Sequence, residues 1–184
     1  MSNGISKSQP ETIRGLHHFA YRCRDAEETR HFYEDILGLP LTMLVRSERV
    51  PSTGEFCPHV HIFFQLGDGS YLAFFDLGDN EKALPSANTP AWVNHLALEV
   101  ASEDALLNMK THLEANGIQV LGVIDHVVID SIYFFDPNGI RLEFAVRTAT
   151  SAELEPYSNE AHKQLGAWVV EKAARLDQVG RGVA

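Results

Sequence analysis

Two histidines and one glutamate occupy similar short motifs in this chain of 184 residues. His18 and His95 each stand two residues before an alanine, in His-Phe-Ala and His-Leu-Ala, and Glu143 stands two residues before Ala145. Imidazole nitrogens and carboxylate oxygens are ligands that Fe(II), Mn(II), Co(II), Ni(II) and Zn(II) accept. The sequence therefore predicts that His18, His95 and Glu143 bind one divalent metal ion.

The three candidate ligands lie on predicted strands, in which successive side chains alternate between the two faces. In each strand the ligand shares its face with the small alanine, while bulky apolar residues take the other face. We expect the bulky face to pack under helices and the ligand face to line a cup. His17 is an alternative to His18, but Asn94 occupies the equivalent position before His95, which favours His18.

The order of predicted elements is the same in both halves of the chain. Residues 13–78 and 91–147 each read β-α-β-β-β, with predicted helices over 26–37 and 103–116. Asp25 and Ser102 are suitable helix N-caps, and Gly38 and Gly117 are suitable C-caps. The predicted fold class is α+β, with two tandem βαβββ modules that form a cupped mixed or antiparallel sheet around the metal site in a single domain, 11–148.

The two ends of the chain lie outside this repeat. Residues 1–10 are polar and are predicted to be a flexible leader, whereas 149–184 is predicted to be a helical extension. Apolar residues recur at near-helical spacing over 151–177, and Trp168 needs a surface on which to pack. The extension is expected either to cover the sheet or to pack against a second subunit, which makes a homodimer the expected assembly.

The composition excludes several classes of partner. The formal net charge is −10 and the pI is about 5.3, so neither a nucleic acid nor an anionic membrane is an expected partner. No apolar stretch approaches the roughly 18 residues that a transmembrane helix needs. Cys23 and Cys57 are the only cysteines, and reduced thiols in a cytoplasmic protein are the expected state.

The repeat also identifies a fourth equivalent position, which cannot bind metal. Aligning Gly139–Glu143 with Gly69–Ala73 places Ala73 opposite Glu143. Three protein ligands leave coordination positions open for substrate, water or oxygen, as in non-haem Fe(II) oxygenases.

These motifs resemble those of the vicinal oxygen chelate superfamily, whose members are paired βαβββ modules that close around a metal. The matching stretches, within residues 13–147, are His-Phe-Ala at 18, Phe-Tyr-Glu-Asp-Ile-Leu-Gly-Leu at 32, His-Leu-Ala at 95 and Tyr-Phe-Phe-Asp-Pro-Asn-Gly-Ile-Arg-Leu-Glu-Phe at 133. The superfamily contains glyoxalases, epimerases, fosfomycin-resistance enzymes, type I extradiol dioxygenases and metal-free binding proteins.

The departures from the family pattern narrow the implied function. Glyoxalase I-like proteins use four protein ligands, and Ala73 removes one of them. The remaining set resembles those of extradiol dioxygenases and of fosfomycin-modifying transferases. The first resemblance implies an Fe(II) enzyme that cleaves a catechol-like small molecule with O2. The same resemblance implies that Tyr133, ten residues before Glu143, and His126 are catalytic.

Three further residues are candidates for binding substrate, namely His61, Arg22 and Arg141. His61 shares a predicted strand face with Phe63, Arg22 lies on the face of His18, and Arg141 lies on the face of Glu143. Two other classes of function stay open: a non-redox lyase, isomerase or fosfomycin-type thiol transferase, and a protein that only binds and sequesters a small molecule. Many extradiol dioxygenases have four modules, whereas this chain has two.

Overall fold

The computed structural model describes residues 12–181. These residues form two compact units, one comprising the chain up to residue 94 together with 135–141, and the other comprising 95–134 and the chain from 142 onward. The units follow the two predicted modules except that the turn at 135–141 groups with the first unit. The predicted leader at 1–10 and the last three residues of the predicted extension lie outside the described residues.

The first unit is a mixed four-stranded sheet with one helix. Strand β1 pairs in parallel with β4, while β3 pairs antiparallel with both β4 and β2, which gives the order β1-β4-β3-β2. The helix α1 continues as a π-helical segment over His31–Ile36. The elements are β1 (His18–Cys23), α1 (Ala26–Arg30), β2 (Leu41–Arg49), β3 (Phe56–Gln65) and β4 (Tyr71–Asp76).

The second unit repeats this topology and adds a long C-terminal helix. Its strand order is β5-β8-β7-β6, with β5 parallel to β8 and β6 antiparallel to β7. The predicted α+β fold with two βαβββ modules and a C-terminal helix is therefore confirmed. The elements are β5 (Leu96–Glu99), α2 (Glu103–Ala115), β6 (Leu121–Asp125), β7 (Ile129–Phe135), β8 (Arg141–Arg147) and α3 (Ser151–Arg181).

Local sequence determines where the two module helices begin and end. The Asp25 carboxylate accepts from the Glu28 backbone N–H at 2.7 Å, and the Ser102 hydroxyl accepts from that of Ala105 at 3.1 Å. Each side chain thus satisfies an N–H group that the first helical turn leaves without a partner. Gly117 follows α2 at φ +76°, a left-handed conformation that glycine adopts without steric cost.

Strand register places the proposed equivalent positions in matching environments. In the first unit Ala20, two residues after His18, pairs with Ala73. In the second unit Ala97, two residues after His95, pairs with Glu143. The internal alignment of Ala73 with Glu143 is therefore confirmed by the strand pairing.

The apolar pattern predicts strands that begin at residues 13, 59, 91 and 118, and the structure begins each of them elsewhere, β1 at His18 and β6 at Leu121 among them. The strand predicted for 91–100 begins only at Leu96, because residues 91–94 form a turn in which the Val93 N–H donates to the Pro90 carbonyl. Strand β3 begins at Phe56 rather than at residue 59, although it contains Pro58. The pairing with β2 is irregular between Ser47 and Arg49, and proline is tolerated at such a bulge.

Candidate metal centre and its hydrogen-bond network

The carboxylate of Glu143 is buried on β8 and is held by two hydroxyl groups from β7. Glu143 is 3% exposed. Its Oε1 accepts from the Ser131 hydroxyl at 2.5 Å and from the Tyr133 hydroxyl at 3.1 Å. Ser131 and Tyr133 are two residues apart on one strand, so their side chains project from the same face. The two hydrogen bonds occupy one carboxylate oxygen and fix the orientation of the other.

The second carboxylate oxygen of Glu143 faces His95. Its Oε2 lies 3.0 Å from His95 Nε2, and the His95 side chain is 35% exposed. Two ligand atoms that are each about 2.1 Å from a metal ion and at right angles to one another are about 3 Å apart. The separation in the second unit therefore fits two adjacent ligands of one metal ion, with one side open to solvent.

A hydrogen-bond chain continues from Glu143 to His126. The His126 Nε2 lies 2.8 Å from the hydroxyl oxygen of Tyr133. Since the Tyr133 hydroxyl donates to Glu143, the His126 N–H donates to the tyrosine oxygen. The second unit thus brings together four predicted site residues, His95, His126, Tyr133 and Glu143. Tyr133, which the resemblance implies is catalytic, bonds the carboxylate of Glu143 through its hydroxyl in this structure.

The remaining predicted metal ligand, His18, belongs to the first unit. It is exposed at the start of β1, and its Nδ1 lies 2.7 Å from Nδ1 of His17. Its ring centroid is 5.7 Å from that of Phe63 and 6.1 Å from that of His61. The contact between the two neighbouring histidines leaves His17 as the alternative ligand that the sequence already indicated.

His61 has a buried ring nitrogen that forms no hydrogen bond with the described residues. Its Nε2 is buried without a partner, and its ring stacks on Phe75 with centroids 3.6 Å apart. Burial, together with the nearby His18 and His59, lowers the pKa of His61 to about 4. The imidazole is therefore neutral at physiological pH and can still accept or donate one hydrogen bond.

Both arginines that are predicted to bind substrate lie in the first unit, but their surroundings differ. The Arg22 guanidinium pairs with the Asp79 carboxylate and donates from Nε to the Glu81 carbonyl at 2.9 Å. Arg141 lines a largely apolar cavity of about 630 Å³ between the linker at residues 78–90, which joins the two modules, and the turn at 135–141. Other residues lining that cavity include Tyr21, Lys82, Leu84 and Phe135.

Within residues 12–181 no group of three or more His, Cys, Asp or Glu side chains has an arrangement that could hold a metal ion. His95 and Glu143 nevertheless carry donor atoms of the kinds that a divalent metal accepts, at a separation that is also that of an ordinary ion pair. The three-residue site with His18 stays a prediction. Cys23 and Cys57 are free thiols, as the composition led us to expect.

Ser131 is the site residue that the sequence reasoning missed. It is fully buried and donates to the carboxylate of a predicted metal ligand. In metal sites the ligands usually form hydrogen bonds with neighbouring residues, because these bonds hold the ligands in the required orientation. The indication was its position, two residues before Tyr133 on a strand that forms a hairpin with the strand of Glu143.

Comparisons with known proteins agree with this architecture. Residues 15–144 match the family described as Glyoxalase/Bleomycin resistance protein/Dioxygenase superfamily. A glyoxalase/dioxygenase from Nostoc punctiforme is 23% identical with a TM-score of 0.55, and the match covers 77% of this chain and 100% of that one. A lactoylglutathione lyase from Agrobacterium tumefaciens is 22% identical with a TM-score of 0.52, covering 74% and 96%. At these identities the likeness shows the fold alone.

Among the described helices, none has the length and apolar character needed to cross a membrane.

Proposed function

The chain belongs to the Glyoxalase/Bleomycin resistance protein/Dioxygenase superfamily, and we propose that it is a metal-dependent enzyme of that superfamily. The best candidate activity is ring cleavage of a catechol-like small molecule by an Fe(II) extradiol-type dioxygenase. The observation that carries the proposal is the hydrogen-bond chain from His126 through Tyr133 to Oε1 of Glu143, whose other carboxylate oxygen lies 3.0 Å from His95 Nε2. A carboxylate oriented in this way is typical of a metal ligand.

The proposed ligands are His18, His95 and Glu143. Two imidazoles and one carboxylate suit Fe(II), and they would also accept Mn(II), Co(II), Ni(II) or Zn(II). When bound, Fe(II) would supply a Lewis acid for the two catechol oxygens and a site for O2. Ala73 at the fourth equivalent position supports this assignment, since alanine has no atom that could be a fourth ligand.

The proposed roles of the neighbouring residues follow from their contacts. Ser131 and Tyr133 hold Oε1 of Glu143, so that Oε2 is the ligand atom. Tyr133 and His126 form a pair through which a proton can move, because each has both donor and acceptor capacity. His126 suits this task because histidine is the side chain that most often serves as a general acid or base.

Among the three candidates for substrate binding, His61 is the one the contacts favour. Its Nε2 has no partner among the described residues and its ring is neutral at pH 7. It can therefore accept a hydrogen bond from a phenolic hydroxyl while staying neutral. Arg22 would have to release Asp79 in order to bind an anionic group, and Arg141 is proposed to contact substrate through its position at the apolar cavity.

The proposal is tested on protein purified without oxygen. We expect close to one iron per chain, and oxygen uptake with formation of a yellow product when catechol and substituted catechols are added. His95→Ala should abolish both, while His162→Ala, an exposed histidine on α3, should change neither. Stoichiometric zinc or manganese without oxygen uptake over the catechol panel would contradict the dioxygenase assignment.

A second candidate is a non-redox enzyme of the lyase, isomerase or thiol-transferase type. The observation in its favour is that the Tyr133 hydroxyl bonds Glu143 rather than pointing at an open coordination position. Such an enzyme would use the metal to stabilise an oxyanion, and Mn(II) or Ni(II) would serve. Activity that persists in Mn(II)-loaded protein under argon would favour this candidate over the first.

A further inference from the structure

The apolar cavity of about 630 Å³ lies within the first unit. Its lining comes from Tyr21 on β1, from residues 82–94 in and after the linker, and from the turn at 135–141. The proposed metal ligands do not belong to this lining, and neither do His126 and Tyr133. Pockets of about 300–1,000 Å³ are typical of sites for small organic molecules. The cavity therefore has the size of a ligand site whose residues differ from those of the candidate metal centre.

Large apolar side chains line this cavity and are exposed to solvent. Leu84 is 91% exposed and Phe135 is 51% exposed, while Ile140 is half-buried. An apolar molecule that enters the cavity removes part of this surface from water, and that transfer is favourable. Sites for organic molecules are lined mainly by apolar side chains, with a few polar groups that fix the orientation of the ligand. We therefore expect the body of a ligand to be apolar.

The charged side chains of the described lining are both cationic. Lys82 and Arg141 belong to the lining, whereas Asp and Glu are absent from it. In the whole chain acidic residues outnumber basic ones by 25 to 15, so the lining departs from the overall charge. The Lys82 ammonium donates to the carbonyl of Pro137 at 3.2 Å, which is a neutral acceptor and leaves two N–H groups for a ligand. This lining favours an anionic group over a neutral or cationic one.

The acidic residues near the cavity are bonded to other groups. The Asp79 carboxylate pairs with the Arg22 guanidinium. The buried carboxylate of Asp136 accepts from the Tyr33 hydroxyl and from backbone N–H groups of the turn. Burial, together with the charge of Asp136, raises the pKa of Tyr21, so the phenol stays protonated and is a further donor at the cavity.

We propose that this cavity binds a small organic molecule with an apolar body and one carboxylate group. Arg141 and Lys82 pair with the carboxylate, since a guanidinium matches the geometry of two carboxylate oxygens. Leu84 and Phe135 pack against the apolar body. A phosphate ester is a poorer ligand, because its higher charge and three acceptor oxygens would need more donors than a largely apolar lining offers. The inference goes beyond the proposed function, since the cavity binds its ligand whether or not the chain binds a metal.

Binding of hydrocinnamate to the full chain tests the proposal, with hydrocinnamamide as its uncharged counterpart. Amide NMR spectra of isotope-labelled protein, recorded with and without Zn(II), give both the affinity and the location. We expect a dissociation constant at or below about 1 mM for the acid and at least about fivefold weaker binding of the amide. The changes should lie at residues 82–94 and 135–141. Equal binding of acid and amide, changes located elsewhere, or binding only when Zn(II) is present would overturn the proposal.

Charge-removing variants test the two cations. Lys82→Gln and Arg141→Gln should each weaken hydrocinnamate by about two- to fivefold, and should leave hydrocinnamamide within about twofold. Lys172→Gln, on the exposed surface of α3, is the matched control and should change neither affinity. The amide spectra also show whether each variant is folded. A folded double variant of Lys82 and Arg141 that binds the acid as tightly as wild-type protein would contradict the assignment.

A truncation tests the apolar part of the lining. Leu84→Ala should weaken the acid and the amide equally, by about two- to fivefold, because both ligands contain the same phenyl group. Leu165→Ala, which shortens an exposed leucine on α3, should change neither affinity. Unchanged affinity of both ligands in Leu84→Ala would remove the linker from the proposed site.

A carboxylated substrate and a separate acid have the same chemistry, and stoichiometry distinguishes them. Calorimetry of Mn(II)-loaded protein under argon uses dihydrocaffeate, the catechol counterpart of hydrocinnamate. One molecule per chain, bound more tightly than either catechol or hydrocinnamate, would mean that the substrate itself supplies the carboxylate. Two molecules per chain would assign the cavity to a separate acid. If Mn(II) does not bind, the proposed function fails, whereas the cavity is decided by hydrocinnamate alone.

Discussion

The two units place different side chains at equivalent positions of the same βαβββ scaffold. Position 73 of the first unit and position 143 of the second both pair with an alanine that follows a histidine by two residues. Twelve residues before these two positions, the first unit has His61 and the second unit has Ser131. Ten residues before them, the first unit has Phe63 and the second unit has Tyr133. The first unit thus has Ala, His and Phe where the second unit has Glu, Ser and Tyr.

The difference shows how one carboxylate organises its surroundings. In the second unit Glu143 accepts hydrogen bonds from both Ser131 and Tyr133, so three buried polar groups satisfy one another. In the first unit Ala73 offers no acceptor, and the corresponding His61 is left with a buried nitrogen that has no partner among the described residues. Duplicated modules can therefore divide a task, with one unit orienting an anionic ligand and the other presenting a neutral imidazole.

The largest effect is expected when the second unit is made like the first. Glu143→Ala removes the carboxylate to which Ser131 and Tyr133 donate, and with it one proposed metal ligand. Because altering a residue that merely orients a ligand costs about 10- to 100-fold in metal affinity, we expect removal of the ligand itself to cost at least about 100-fold. Iron content after anaerobic purification and titration with Fe(II) measure the change.

Glu99→Ala is the matched control for that variant. Glu99 lies on β5, and its carboxylate forms an exposed ion pair with Arg147. Its removal should leave iron content and turnover unchanged, and stability nearly so, because exposed pairs contribute little. Iron binding that survives Glu143→Ala would mean that the proposed metal site is wrong.

A smaller effect is expected from removing one hydroxyl group in the second unit. Tyr133→Phe keeps the ring, as in Phe63 of the first unit, but breaks the hydrogen-bond chain between His126 and Glu143. We expect catechol turnover to fall by about 10- to 100-fold while iron content stays near the wild-type value. Steady-state oxygen uptake and metal analysis on the same preparation separate the two quantities.

His126→Gln provides the comparison for Tyr133→Phe. If the pair moves a proton, both variants should change the pH profile of kcat in the same direction, since each interrupts the same chain. Tyr157→Phe removes an exposed hydroxyl on α3 and should leave turnover unchanged. Equal turnover in wild-type protein and Tyr133→Phe would restrict Tyr133 to a packing role.

The internal repeat made most of the fold predictable from the sequence. Matched helix caps at Asp25 and Ser102, and the matched glycines after both helices, fixed the order of elements, and the alignment of Ala73 with Glu143 followed from the repeat. Such features depend on neighbours along the chain, which a sequence displays directly. The likeness of the motifs to a known superfamily added the expected metal chemistry, which the strand pattern alone could not supply.

The details of the site could not be predicted, because they depend on which atoms meet across strands. Ser131 is indicated in the sequence only by its position two residues before Tyr133, and its contact with Glu143 depends on how the two strands pair. Arg22 was expected to bind substrate, but its partner Asp79 lies in a linker without periodic pattern. Strand β5 begins late because of the turn after Pro90. The apolar run at 91–100 contains no residue pattern that indicates this turn.

A contact that occurs only in the first unit tests whether stability and activity can be separated. Tyr33 is buried and donates to Oδ2 of Asp136 at 3.1 Å, within the unit that contains both residues. Tyr33→Phe keeps the ring contacts with Phe64 and Phe74 but removes this hydrogen bond. We expect a loss of about 1–2 kcal/mol in the free energy of unfolding, measured with urea.

The activity of the Tyr33→Phe variant should be unchanged at a temperature where the protein is folded. Asp136 retains its bonds to the Asn138 side chain and to the backbone N–H groups of Asn138 and Ile140, so the turn should keep its conformation. Reduced turnover without reduced stability would assign Tyr33 a role in the reaction, contrary to its place in the apolar core of the first unit.

The smallest expected effect concerns His61, whose counterpart in the second unit is Ser131. The unfolded chain binds a proton at His61 below about pH 6.5, whereas the folded chain does so only below about pH 4. Between these pH values the unfolded state binds more protons than the folded state. The contribution of His61 to the free energy of unfolding is therefore fully present above about pH 6.5 and decreases as the pH falls toward 4. His61→Phe should remove this contribution, which gives the variant a shallower loss of stability in that range.

Urea midpoints at about pH 7.5 and about pH 5 measure this difference, with a chelator present so that metal binding at His18 does not contribute. His162→Phe, on the exposed surface of α3, should keep the wild-type dependence on pH. If wild-type protein and His61→Phe lose stability equally as the pH falls, the buried nitrogen of His61 is in contact with water. His61 would then no longer differ from Ser131, whose hydroxyl has a hydrogen-bond partner. A shallower slope in the variant would show that the folded chain holds His61 as a buried, neutral imidazole.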